Sequence, residues 1–136
     1  LAERLARVPD AIETLDRLIA CFPEYARAYA GRGVLLARLG RRDAAVRDAR
    51  DALLRDTSLP TVYQVAGIYA LTLRHNQDDR REALRLIGAS LRGGYGLDLI
   101  DIDPDLKSLK DDAEFRRLVE AARDLVAPTT DVQRDN

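Results

Sequence analysis

The sequence has no Met and no Trp, a single Cys and a single His, and aromatic residues make up only 5% of it. Each scarcity excludes something. Cys21 has no partner for an internal disulfide, and nothing argues for an oxidising compartment, so the chain reads as cytoplasmic. One His and one distant Cys fall short of the N and S ligands that a zinc site requires. No apolar run approaches the roughly 20 residues needed to cross a bilayer, and no signal peptide is visible, so no membrane partner is expected. The absence of Met, at position 1 as well, predicts a piece of a longer chain or a processed product. With so few aromatics, the core must come from Leu, Ile, Val and many Ala. Small side chains of that kind let helices approach closely.

What is present suits one folded domain. The 136 residues are 46% hydrophobic and 33% charged, enough apolar material for a core. Net charge is −1, which gives no global attraction for nucleic acid. The charge is unevenly spread: residues 1–96 hold 16 Arg against 12 Asp plus Glu (+4), and residues 97–136 hold 6 Lys plus Arg against 11 Asp plus Glu (−5). An acidic C-terminal part is therefore expected to dock on a mildly basic body. There are 20 Arg against 2 Lys. Most alternate with acids, as in Arg47-Asp48-Ala49-Arg50-Asp51, which reads as a solvated helix face with local ion pairs and not as a one-signed stripe for a phosphate backbone.

The sequence repeats itself. Tyr29 and Tyr63, Gly33 and Gly67, and Leu39 and Leu73 are each 34 residues apart, and the same step relates Ala45 to Ala11, Val46 to Ile12 and Leu53 to Ile19. The helical periodicity and its punctuation give residues 1–7 as the last turns of one helix, then helices at about 9–21, 25–39, 42–55, 60–74 and 80–92. Pro9 opens the first of these and Pro23 closes it. Gly40 and the Gly93-Gly94 pair act as stops. Asp79 with Glu82, and Asp111 with Glu114, have capping-box spacing. Pro104 starts a short turn, and a helix over about 112–126 presents Phe115, Leu118, Val119, Ala122 and Leu125 on one face. Residues 127–136 read as a disordered or linker tail.

The pattern of Tyr29, Gly33, Ala45 and Ala52, echoed by Tyr63, Gly67, Ala83 and Ile87 and partly by Ala11, Leu15 and Pro23, resembles the tetratricopeptide repeat family. Arg32 and Ala66 stand where that family usually has Leu, Thr57 replaces the closing Pro, and the turn His75-Asn76-Gln77-Asp78-Asp79 is four residues longer than its counterpart. The resemblance implies an all-α fold: a right-handed superhelix of antiparallel helix pairs, an α-solenoid, over residues 1–93 with a partial first repeat. A capping segment and helix follow over residues 94–126. The run from Leu91 to Gly96, with Asp103-Pro104-Asp105-Leu106, Leu109 and Phe115, is similar to segments that close such arrays in bacterial serine/threonine protein kinases, planctomycete ones among them.

That resemblance implies a protein-protein interaction scaffold inside a larger regulatory bacterial protein. The alternative is a structural spacer or self-association domain without a peptide groove. The first helix of each unit would line a concave surface with Arg27, Ala30, Val34, Ala37, Arg38, Thr61, Gln64, Ile68, Leu71 and Thr72. The family's clamp for a peptide carboxylate is not matched, since its places hold Ala30, Gly31, Val34, Thr61 and Val65, with Arg27 the only strong donor. An apolar floor with two Arg at the rim would suit an extended or amphipathic segment of a protein partner or of the same polypeptide, unless the C-terminal helix covers it. A homo-oligomer is left open.

No catalytic set is visible and the chain is expected not to be an enzyme, with no metal and no cofactor. His75 reads as a solvated turn residue, and Cys21, with no base nearby, as a small buried apolar one. Asp98, Asp101, Asp103 and Asp105 do not match a calcium loop and read as caps and surface charge.

Overall fold

A computed structural model describes residues 2–127, with side chains from Arg7 onward. The expected tail beyond Ala127 lies outside the described residues. Among the described residues there are six α-helices and one 3₁₀ segment, and no strand. The α-helices are α1 (Ala2–Cys21), α2 (Ala26–Arg38), α3 (Arg42–Arg55), α4 (Leu59–Thr72), α5 (Asp78–Arg92) and α6 (Ala113–Val126); the 3₁₀ segment is Pro104–Leu109. None of these helices is long and apolar enough to cross a membrane.

Consecutive helices pack as pairs. Arg55 stacks over the Tyr29 ring while Arg32 reaches Asp48, so α2 and α3 run antiparallel. Thr72 bonds to Asp79 at one end of the next pair and Leu59 lies against Gly93 at the other, so α4 and α5 do the same. The α2–α3 turn is closed at Gly40, whose φ of 78° suits glycine alone at little cost. The Gly40 N–H bonds to the Ala37 carbonyl and the Arg41 N–H to Leu36, which satisfies the last carbonyls of α2.

The small residues sit at the crossings. Ala30, Ala45, Ala49, Ala52, Ala66, Ala70 and Ala83 are all completely buried. A Cβ added to Gly33 would lie 2.6 Å from the Ile68 Cδ1, 3.2 Å from the Asp48 Cβ and 3.3 Å from the Ala45 carbonyl oxygen. Gly33 of α2 therefore lies hard against α3 and against the Ile68 side chain of α4.

Helix α4 stands apart from its neighbours. Its sequence, LPTVYQVAGIYALT, holds no charged residue, and it is buried nearly all round. A helix apolar on every side must be covered on every side. Helices α2, α3 and α5 cover three flanks, and the 3₁₀ segment lies on the fourth.

Arginine–aspartate pairs join the elements. Arg32 donates two hydrogen bonds, each 2.8 Å, to the buried Asp48 and a third to Asp16, which ties α1, α2 and α3 together. Arg42 of α3 does the same to Asp79 of α5, at 2.7 and 2.9 Å. Arg80 of α5 reaches Asp112 at the start of α6, and Arg38 of α2 holds Asp105 of the 3₁₀ segment. The planar guanidinium fork suits two carboxylate oxygens at once, which Lys does not. This use accounts for much of the arginine bias.

Several expectations need correction. Helix α1 is continuous through Pro9 and not split there. The ring lacks only one N–H, and nineteen other residues keep the helix going. Asp79 is no cap: it is buried and spent on Arg42 and Thr72, and α5 starts without a side-chain cap. The cap of α6 is Asp112, which accepts from the Phe115 N–H, and not Asp111. Leu125 is 77% exposed although Phe115, Val119 and Ala122 of the same face are buried. Cys21 is exposed, since it closes α1 off the stripe that faces α2. Asp48, read as part of a solvated face, is buried beneath Arg32.

Two predictions follow from the packing. Gly33→Ala should lower stability by about 1 kcal/mol in a urea melt, since overpacking of about 1–3 kcal/mol outweighs the helix gain of about 1 kcal/mol from replacing Gly. In an Ile68→Val background, which removes the clashing Cδ1, the same change should be neutral or stabilising. Arg42→Leu should cost about 3–5 kcal/mol by stranding a buried carboxylate, and Asp79→Leu added to it should recover most of that. Burial pushes the Asp79 carboxyl up, but Arg42 and Thr72 more than offset this and hold it below its ordinary value. Its contribution is thus present above the ordinary carboxylate pKa of about 4 and is lost as pH falls through the lower native value. Melting temperature should fall in that acid window, less steeply for Asp79→Asn.

Candidate functional site

The face of α2 and α4 that the sequence points to is crossed by the chain itself. After α5, Gly94 turns the backbone with a φ of 91° and the Tyr95 N–H bonds back to the Ser90 carbonyl. Gly96 follows at a φ of 105°, and a Cβ there would lie 2.6 Å from the Tyr63 ring, so only glycine lets the chain pass. Residues 97–103 then lead into the 3₁₀ segment, which lies along α4.

Four contacts fasten this strap. Leu106 and Leu109 are buried in the core. The Tyr63 hydroxyl donates to Asp103 at 2.9 Å, and the Ser108 hydroxyl to the Ala70 carbonyl at 2.7 Å. Arg38 holds Asp105 through two bonds of 3.0 Å. Asp103 also accepts from the Asp105 N–H, so it caps the 3₁₀ turn and anchors it to α4 with the same carboxylate. Burial pushes the Asp105 carboxyl up, and Arg38 only partly counters it. Burial, then the Asp103 carboxylate, likewise raises the Tyr63 hydroxyl, which stays un-ionised and able to donate.

The strap leaves two clefts on either side of the Arg38–Asp105 bridge. One, of about 310 Å³, is lined by Tyr63, Tyr95, Pro60, Leu99 and Val34 and by the polar Arg27, Arg38, Gln64, Asp103 and Asp105. The two tyrosine rings meet edge to face, 5.7 Å between centroids. The other, of about 650 Å³, lies beyond the bridge at the C-terminal ends of α2 and α4 and is bordered by Leu71, Arg74, His75 and Lys107.

The expected lining residues therefore divide. Arg27, Val34, Arg38 and Gln64 meet in the first cleft, and Ala37, Arg38 and Leu71 border the second. Ala30, Thr61, Ile68 and Thr72 are buried and line neither. Ile68 points at Gly33, and the Thr61 hydroxyl is bonded to Asp56 at 2.6 Å. Tyr95, Leu99, Asp103 and Asp105, with Pro60, Tyr63 and Gly67 of α4, complete the first cleft without having been singled out as lining. The signal for the first four was the charge-free sequence of α4, which requires a cover. Asp103 and Asp105, expected as caps and surface charge, are half-buried; only Asp103 caps, and Asp105 pairs with Arg38.

His75 is exposed in its turn. Among the described residues no group of three or more His, Cys, Asp and Glu is placed to hold a metal ion. The chain matches no protein-family model, no curated protein and no solved structure.

Tyr63→Phe removes a hydrogen bond to a charged acceptor while keeping the ring. It should cost about 1.5–3 kcal/mol in a denaturant melt, with Asp103→Asn costing no more in the Phe background than alone.

Proposed function

We propose that the chain is a protein-interaction module of the tetratricopeptide type, in which α2–α3 and α4–α5 are two stacked units of a right-handed solenoid, α1 is the second helix of a partial unit, and the strap with α6 is the cap. The module holds a partner and carries out no reaction of its own. Its partner is a segment of another protein, or of the same polypeptide, that inserts an apolar side chain into the cleft beside the Tyr63–Tyr95 pair.

The observation that carries this reading is the cleft of about 310 Å³ walled by two tyrosines. Aromatic walls with a few polar groups at the mouth are what peptide anchors require. Arg27 and the Gln64 amide line the same cleft, able to bond an extended backbone. The 34-residue offset and the two antiparallel pairs agree with the family reading.

The test uses the full chain and a fluorescein-labelled peptide of alternating Leu and Gln. The expected outcome is a monomer by light scattering that binds this peptide with a micromolar-range Kd. Gln64→Trp, which fills the cleft, should abolish binding and leave the melting temperature within a few degrees. A stable dimer that binds no peptide, whether or not Gln64 is replaced, would establish the self-association alternative instead.

A further inference from the structure

The larger cleft carries a charge that the fold does not use. Three side chains that are or can become cationic, Arg74, His75 and Lys107, border it together with Arg38. Its one acid, Asp105, has both oxygens engaged by Arg38. Among the described residues neither Arg74 nor Lys107 enters an ion pair, whereas Arg32, Arg38, Arg42 and Arg80 all do. Helix C-termini usually present carbonyls that repel anions, which would explain basic residues there. At α4, which Arg74 and His75 follow, the His75 N–H already occupies the Thr72 carbonyl, and Lys107 stands on the 3₁₀ segment and not at the end of either helix. Apolar residues, Ala37, Leu39, Ala70 and Leu71, line the same cleft.

We infer that this cleft is the part of the interaction surface that selects the partner's charge, and that it takes an acidic peptide segment whose carboxylates flank an apolar side chain. The inference rests on the reading of the chain as an interaction module. Unpaired Arg74 and Lys107 meet the carboxylates, and Leu71 meets the apolar side chain. Charge complementarity commits the site to a carboxylate-rich protein segment. A phosphate backbone would need a one-signed track with stacking aromatics, and this cleft has no aromatic wall.

The experiment compares two fluorescein-labelled peptides by anisotropy at low and moderate salt: the Leu and Gln peptide, and the same peptide with Glu for Gln. The Glu peptide should bind about tenfold more tightly at low salt, an advantage that salt screening reduces. Arg74→Glu combined with Lys107→Glu, both at the surface, should remove that advantage without changing the melting temperature or the affinity for the Gln peptide. Equal binding of the two peptides to the unaltered chain overturns the inference and leaves the module reading standing. A Glu preference that survives the double replacement overturns the placement. Competition by inorganic phosphate, with no binding of the Glu peptide, overturns it in favour of a phosphoryl ligand. Failure of both peptides overturns it together with the module reading.

Discussion

Helix α4 has no polar side. Its fourteen residues carry no charge, and most are buried. The hydrophobic effect does not permit such a helix to lie on a surface, so the chain must supply a neighbour for each flank. Two flanks are met by the helices a repeat would provide, and another by α3. The last is met by the strap that follows α5. The strap's course, the burial of Leu106 and Leu109, and the division of the α2–α4 face into two clefts all follow from that requirement.

A core built from alanine brings helices close but buries little area per side chain. The joints therefore carry a second kind of contact, the paired carboxylates. Arg32 with Asp48 and Arg42 with Asp79 lie where α1 to α3 and α3 to α5 meet. A buried ion pair adds little net stability over a well-packed apolar one, but breaking one side of it is costly. Its effect is to fix which helix faces which, and it does so between α1, α2 and α3, between α3 and α5, and between α5 and the start of α6, passing over the uncharged α4. At Arg32 the joint between α1, α2 and α3 is ionic and not apolar.

Much of this was legible in the sequence. The period of 34, the glycine stops at Gly40 and Gly94, and the bounds of α3 could be read from spacing alone, because turn geometry is local. The roles of Asp48, Asp79 and Asp105 could not, because a carboxylate flanked by arginines looks the same whether its partner is four residues away or thirty-seven. The misread groove has a different origin. Thr61 and Ile68 were assigned to a free face by analogy with the first helices of an open array, while the absence of any charged residue in α4 already said that no free face existed. Ala30 is likewise completely buried. Arg27, Val34, Arg38 and Gln64 did meet in one cleft because they lie toward the edge of the helix pair, where the strap passes without sealing the surface.

The account stands on the strap being a permanent wall of the core and not a removable flap. Native-state amide hydrogen exchange reads this directly on the unaltered chain. The amides of Ile100, Asp103 and Leu106, bonded to Gly96, Leu99 and Asp103, should open with the same free energy as amides in the middle of α4, as members of one cooperative unit. If they exchange orders of magnitude faster while α4 stays protected, α4 tolerates an uncovered flank and the central claim is wrong.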